Sequence, residues 1–222
     1  MERYVDLNEI TDGRQYSSND MVKAECGDCH GCSACCRGMG NSILLDPLDI
    51  HRLTSNLSVT LEQLLQEGKV ELNVSDGIIL PNLKMAGGEE VCSFLNEDGR
   101  CQIHSFRPGF CRLFPLGRHY EDRTFHYILM IHECQKENRT KVKIHKWIGV
   151  EDIDAYEKFV NTWHYMLKDL QEKMTASADQ TLAKQISMYV LQKFYLEPYA
   201  DTESFYDEFE KRYMDAKQVF GL

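Results

Sequence analysis

The chain has 222 residues, 43% of them hydrophobic and 27% charged, the balance of an ordinary folded protein rather than a disordered or collagen-like one. Its formal net charge of −10 and sequence pI near 5.3 argue against a nucleic-acid partner, because phosphate binding needs a basic surface. The longest purely apolar run, Ile128-Leu129-Met130-Ile131, is far short of the roughly 18 residues of a membrane span, and the first residues lack the basic start and apolar stretch of a secretory signal, so no membrane is expected and a cytoplasmic location is.

Residues 1–25 are polar and acidic with weak periodicity, and read as an N-terminal arm. A cysteine loop follows, ECGDCHGCSACCRG. Asp46 and Pro47 then have the form of an N-cap and first helical residue, and Thr60 with Gln63 forms a capping box for a second helix that Gly68 ends. Val70, Leu72 and Val74 alternate up to Asp76-Gly77 and return through Ile78-Ile79-Leu80, which predicts a hairpin. A second hairpin pattern, VCSFLNEDGRCQIH, turns at Asp98-Gly99 and carries Cys92 and Cys101 on its two arms.

Pro108 opens a short helical turn holding Cys111, broken before Pro115, and RTFHYILMIHEC reads as a strand ending at Cys134. Beyond Trp147 the pattern changes to helices. Asp152 caps one in which Ile153, Tyr156, Val160, Trp163, Leu167 and Leu170 recur at steps of three and four. A second carries Leu182, Ile186, Tyr189 and Tyr195, and a third carries Phe205, Phe209, Tyr213 and Ala216, with aromatic stripes that suit core packing. The expected fold is α+β: a small cysteine-rich metal core with short helices and β-hairpins at 26–146, followed by a helical C-terminal segment at 147–222 packed on it.

Nine cysteines are the strongest chemical signal: Cys26, Cys29, Cys32, Cys35, Cys36, Cys92, Cys101, Cys111 and Cys134. In a reducing compartment such a cluster points to metal ligands before disulfides. Cys26, Cys29, Cys32 and Cys35 recur every third residue, and two thiolates separated by two residues can fold back onto one metal, as in zinc knuckles and iron–sulfur loops. Cys29, Cys32 and Cys35 match the opening of the bacterial ferredoxin pattern, but Met39 stands at its fourth position. A zinc ribbon would need a second C-x2-C pair, whereas the later cysteines are more widely spaced. No P-loop, HExxH, GxSxG or dinucleotide fingerprint accompanies the cluster.

Residues 100–146 hold 10 Lys and Arg against 4 Asp and Glu, together with five of the eight histidines. Several thiolates around one centre concentrate negative charge, and Arg37, Arg107, Arg112 and Arg118 lie beside the cysteines in sequence. Of these, Arg107 and Arg112 are the candidates for supporting a bound group from outside its sulfur ligands.

CHGCSACCRG, the apolar-acidic SILLDPLDIHRL, and CSFLNEDGRCQIHSFRPGFCRLFPLGR with a later cysteine together resemble the CxxCxxCC family of zinc- or iron-chelating domains. The resemblance spans residues 29 to 134. It implies metal ligands among Cys29, Cys32, Cys35, Cys36, Cys92, Cys101, Cys111 and Cys134, and leaves Cys26 outside the motif. A more distant similarity to the cysteine motif of flagellin lysine N-methylases implies a [4Fe–4S] cluster and S-adenosylmethionine-dependent methyl transfer to a protein substrate, and tilts the metal from zinc toward iron–sulfur. Two functions therefore stand at this stage: an iron–sulfur protein with redox or methyl-transfer chemistry, or a structural zinc module whose helical part engages a protein partner.

Overall fold

The structure, a computed structural model, describes residues 6–27, 32–177, 180–200 and 204–222. In chain order its elements are α1 (Leu7–Ile10), β1 (Met21–Glu25), α2 (Pro47–Leu57), α3 (Leu61–Gln66), β2 (Val70–Ser75), β3 (Ile78–Leu83), β4 (Met85–Ala86) and β5 (Val91–Cys92). These are followed by α4 (Gly109–Leu113), β6 (Leu116–Glu121), β7 (Thr124–Leu129), β8 (Thr140–Lys143), α5 (Ile144–Ile148), α6 (Ile153–Ser177), α7 (Gln180–Leu191) and α8 (Phe205–Phe220). Among the described residues, eight helices and four two-stranded sheets make this an α+β protein with a helical C-terminal segment. Among the described residues no helix is long and apolar enough to cross a membrane.

The chain clusters into two compact units. One comprises 44–82 with 154–222, the other 2–43 with 83–153. The sequence boundaries at 25/26 and 146/147 cut this pattern differently, since 44–82 groups with the C-terminal helices.

In the helical unit local signals and tertiary packing agree. The Asp49 amide donates to Asp46 Oδ1 at 2.9 Å and the Asp46 amide to Asp49 Oδ2 at 3.2 Å, so a reciprocal box closes the start of α2. Thr60 and Gln63 do the same for α3. The β2–β3 hairpin turns on Asp76 and Gly77, both at positive φ (50° and 86°), a conformation that suits a glycine at the second place. A methyl added to Gly77 would sit 3.2 Å from Met174 Cε, the flexible end of a side chain that would have to give by a few tenths of an ångström.

The apolar stripes of α6 and α8 meet as an aromatic core. Phe159 and Phe209 stand edge-to-face at 4.7 Å, Trp163 lies 5.2 Å from Phe194, and all four rings are buried. Arg212, 3% exposed, donates to the carbonyls of Lys193, Glu197 and Pro198 at 2.6–2.7 Å, pairs with Glu208, and covers the Tyr199 ring at 3.8 Å. It thereby satisfies carbonyls at the C-terminal end of the π-helical turn Gln192–Leu196 and just beyond, where no further helical amides follow.

The second unit is built differently. The arm expected at 1–25 takes part in pairing from residue 10 onward: Tyr16 and Tyr127 exchange backbone hydrogen bonds at 2.8 and 2.9 Å, and β1 pairs antiparallel with β8 through Met21↔Lys143 and Val22↔Val142. β6 and β7 form a hairpin from Leu116↔Leu129 to Glu121↔Thr124 that the periodicity did not signal, turning on Asp122 and Arg123 at φ 49° and 62° without a glycine.

Two strand expectations shorten. β7 stops at Leu129 rather than Cys134, because its partner β6 begins just after Pro115, which has no N–H to extend the ladder. The pattern at 91–104 keeps a single bridge, Leu95↔Cys101, and Cys92 pairs with Met85 instead. The cause is local: the Leu95 amide turns back to the Cys92 carbonyl at 2.9 Å, and Asn96 closes the loop on Arg100 through both its backbone and its side chain.

Candidate metal centre

Four short segments of the second unit carry Cys32, Cys35, Cys36, Cys92, Cys101 and Cys111, and each is held by identifiable contacts. Ala34–Cys36 forms one 3-10 turn, with the Cys36 amide donating to Ser33 O at 2.9 Å. Directly after it Arg37 bridges Val91, and the Gly38 amide, at φ 67°, donates to Glu90 O at 3.0 Å. That stitch sets Cys35 and Cys36 beside Cys92. The Leu95↔Cys101 bridge, with the Gln102 amide on Phe94 O at 2.9 Å, folds Cys101 back onto the same region.

Cys111 comes from α4, which Arg112 fixes in place. Arg112 is 7% exposed, and its guanidinium donates to the carbonyls of Ser105 (2.7 Å), Arg107 (3.2 Å), Ile148 (3.3 Å) and Gly149 (3.4 Å). One planar cation thus ties the turn at 104–106, the start of α4 and the end of α5 together. The Trp147 indole N–H adds a bond to Leu113 O at 3.3 Å.

The outcome is a cavity of about 60 Å³ whose wall includes Cys32, Cys35, Cys36, Cys92, Cys101 and Cys111. Ile43, Leu83, Ile103, Phe110 and Trp147 supply much of the remaining surface, and Arg100, His104 and Arg107 the polar part. A second, smaller cavity of about 20 Å³ is lined by Cys26, Cys32, Cys35 and Cys134, with Phe114 and Trp147 common to both. No disulfide joins any of these eight cysteines. Cys29, the remaining sequence candidate, lies outside the described residues.

The sulfurs sense one another. Cys36 hydrogen-bonds to Cys35, and that bond, working against burial and aided by the positive Arg107, brings the Cys35 thiol down to about 7. The same bond, burial and the neighbouring Cys35, Cys111 and Cys92 push Cys36 up. Burial likewise raises Cys101, with Arg107 and Arg100 opposing it.

The family model of the CxxCxxCC domain, described as a "putative zinc- or iron-chelating domain", matches residues 28–144, more than half of the chain. The chain belongs to the CxxCxxCC family. No solved structure matches it.

An all-sulfur donor set suits zinc and iron–sulfur centres, so the residues present fit the chelating description of the CxxCxxCC domain. Among the described residues, however, no group of three or more His, Cys, Asp or Glu stands ready to hold a metal ion as it is. The sulfurs ring a space rather than close a cage, and loading has to draw them inward.

The two arginines named from sequence divide. Arg107 lines the larger cavity, contacts His104 and acts electrostatically on Cys35 and Cys101. Arg112 lines neither cavity; its bonds run to backbone carbonyls. The aromatic walls Phe110 and Trp147 were not singled out from sequence as site residues, and neither was Cys26 as a cavity residue. Cys26 did carry a signal, since it continues the three-residue cysteine spacing.

Proposed function

We propose that the CxxCxxCC domain of this protein holds an iron–sulfur cluster in the larger cavity and works through it as a redox protein. One observation carries the reading: six thiols from four separate segments ring one apolar-walled space of about 60 Å³. A single tetrahedral zinc ion takes four sulfurs at about 2.3 Å, fewer than the six thiols that line this space. An inorganic core of iron and sulfide is larger than one ion and takes thiolates on its corners.

Bound there, the cluster would supply one-electron redox chemistry, and the protein's own groups would set its conditions. Cys36, Cys92, Cys101 and Cys111 are the ligands met by this cavity alone, with Cys32 and Cys35 on its border. Arg107 offsets the charge the thiolates concentrate, while Ile103, Phe110 and Trp147 limit water around them.

Protein purified without oxygen should absorb broadly in the visible and contain iron and acid-labile sulfide, the colour disappearing on acidification. Colourless material without iron would overturn the reading, and zinc alone in that material would put a structural zinc module in its place.

A further inference from the structure

The two-stranded sheet of β1 and β8 turns one face inward and one outward. Val22 and Ala24, exposed at 1% and 0%, pack into the unit, while Met21, Lys23, Lys141 and Lys143 stand exposed. Met21 is 48% exposed and pairs with Lys143, so the outer face has an apolar spot among lysines, and Lys146 adds a further exposed cation from α5. Among the described residues none of these four lysines forms an ion pair. The carboxylates at the two ends of β1 are engaged locally: Asp20 accepts from the Ser17 amide and hydroxyl at 2.7 and 2.9 Å, and Glu25 from the Gly27 amide at 2.8 Å.

We propose that this basic ribbon is the docking face for an acidic electron-carrier protein that exchanges electrons with the cluster. The proposal rests on the redox reading above and gives it a partner. The step moves one electron. On a flavin carrier the anionic hydroquinone gives it up and becomes the neutral semiquinone, the oxidised cluster takes it, and no proton or bond changes place.

Position and charge carry the inference. β8 runs directly into α5, whose Trp147 lines both cavities, so the cavity wall begins about 6 Å along the helix from Lys143. Cys26, the residue after β1, and Lys136 line the smaller cavity as well. A carrier seated on the ribbon therefore comes close to the cluster without entering the cavity. Electron-transfer encounters bury little surface, and charge complementarity supplies their association rate. An extended polyanion such as nucleic acid or an anionic membrane would also meet the acidic remainder of a chain of net charge −10, whereas a compact carrier can present its acidic patch to the lysines alone.

The probe is an acidic flavodoxin in its hydroquinone form, mixed anaerobically with the purified protein while the visible absorption of the cluster is followed. Wild type should be reduced fastest at low salt and more slowly as salt rises. Combining Lys23→Glu, Lys141→Glu and Lys143→Glu should slow the reaction about tenfold or more at low salt and remove its salt dependence, with the three glutamine substitutions in between. A neutral small-molecule reductant should reduce all three proteins at one rate, which separates docking from damage to the cluster. Equal flavodoxin rates in wild type and the charge-reversed protein overturn the proposal. Should the reversed protein fail to fold, the glutamine variant decides in the same way. If the protein holds no cluster, the redox reading fails by itself, and calorimetry then decides the surface: salt-sensitive flavodoxin binding that the variant loses upholds it, and no binding overturns it. Tighter binding to duplex DNA or to phosphatidylserine vesicles than to flavodoxin overturns the choice of partner.

Discussion

The helical unit and the cysteine unit solve the same problem with different materials. In the first, Phe159, Trp163, Phe194 and Phe209 fill the centre, so burying apolar surface is itself the source of order. In the second, the described elements are short, its sheets have two strands each, and beside buried apolar residues such as Ile103, Leu116 and Ile144 it holds a cavity lined in part by six cysteines. A centre made of Cys35, Cys36, Cys92, Cys101 and Cys111 gains little from burial alone, and its acid groups oppose one another when ionised. The contrast teaches that the first unit is closed by its side chains, whereas the second is arranged to be closed by what they bind.

Removing the metal is the sharpest way to break that comparison. Treating the anaerobic protein with a strong chelator should abolish amide-exchange protection at 32–36, 91–102 and 109–113, because ligand binding and local folding are coupled there. Helices α6 and α8 should keep their protection, since no metal contributes to the Phe159–Phe209 contact. Equal loss in both sets of amides, read by mass spectrometry, would show that the two units do not differ in this way.

A smaller effect is expected at Arg112. Replacing it with alanine leaves the carbonyls of Ser105, Arg107, Ile148 and Gly149 without their shared donor, which should cost about 2–4 kcal/mol of stability. Arg112→Lys should recover only part of this, because a single ammonium cannot span four acceptors on two sides. Metal loss should follow unfolding in both variants rather than precede it, since Arg112 lines neither cavity. Denaturant titration monitored by circular dichroism and by visible absorption together checks the order of the two events.

The sequence was most legible where one short segment determines its own conformation. Asp46-Pro47, Thr60 with Gln63, Asp76-Gly77 and the aromatic stripes of α6 and α8 each need only neighbours within a few residues, and each appears in the fold as the pattern indicated. The α+β class and the family followed from such signals and from the cysteine spacing. What escaped was non-local. β1 and β8 are separated by more than a hundred residues, and nothing in MVKAE or TKVK says which strand completes the other. Likewise Cys26 is placed at the smaller cavity by the β1–β8 register, a long-range pairing that no spacing rule encodes. The β6–β7 turn was hidden because Asp122 and Arg123 adopt positive φ where glycine or asparagine would have announced it.

The smallest effect belongs to the start of α2. Asp46→Ala removes the acceptor of the Asp49 amide, leaving an unsatisfied donor in the first turn, while the backbone N–H at position 46 that donates to the Asp49 carboxylate is kept. The expected cost is about 1 kcal/mol, the usual worth of an N-cap, and Asp46→Asn should recover most of it because the amide oxygen can accept the same bond. Asp46→Ala should lower the denaturation midpoint without changing the slope, and without changing metal content. If metal content fell in step with stability, order in the helical unit and metal retention in the cysteine unit would be thermodynamically linked, and the contrast between them would have to be drawn as one of composition rather than of independence.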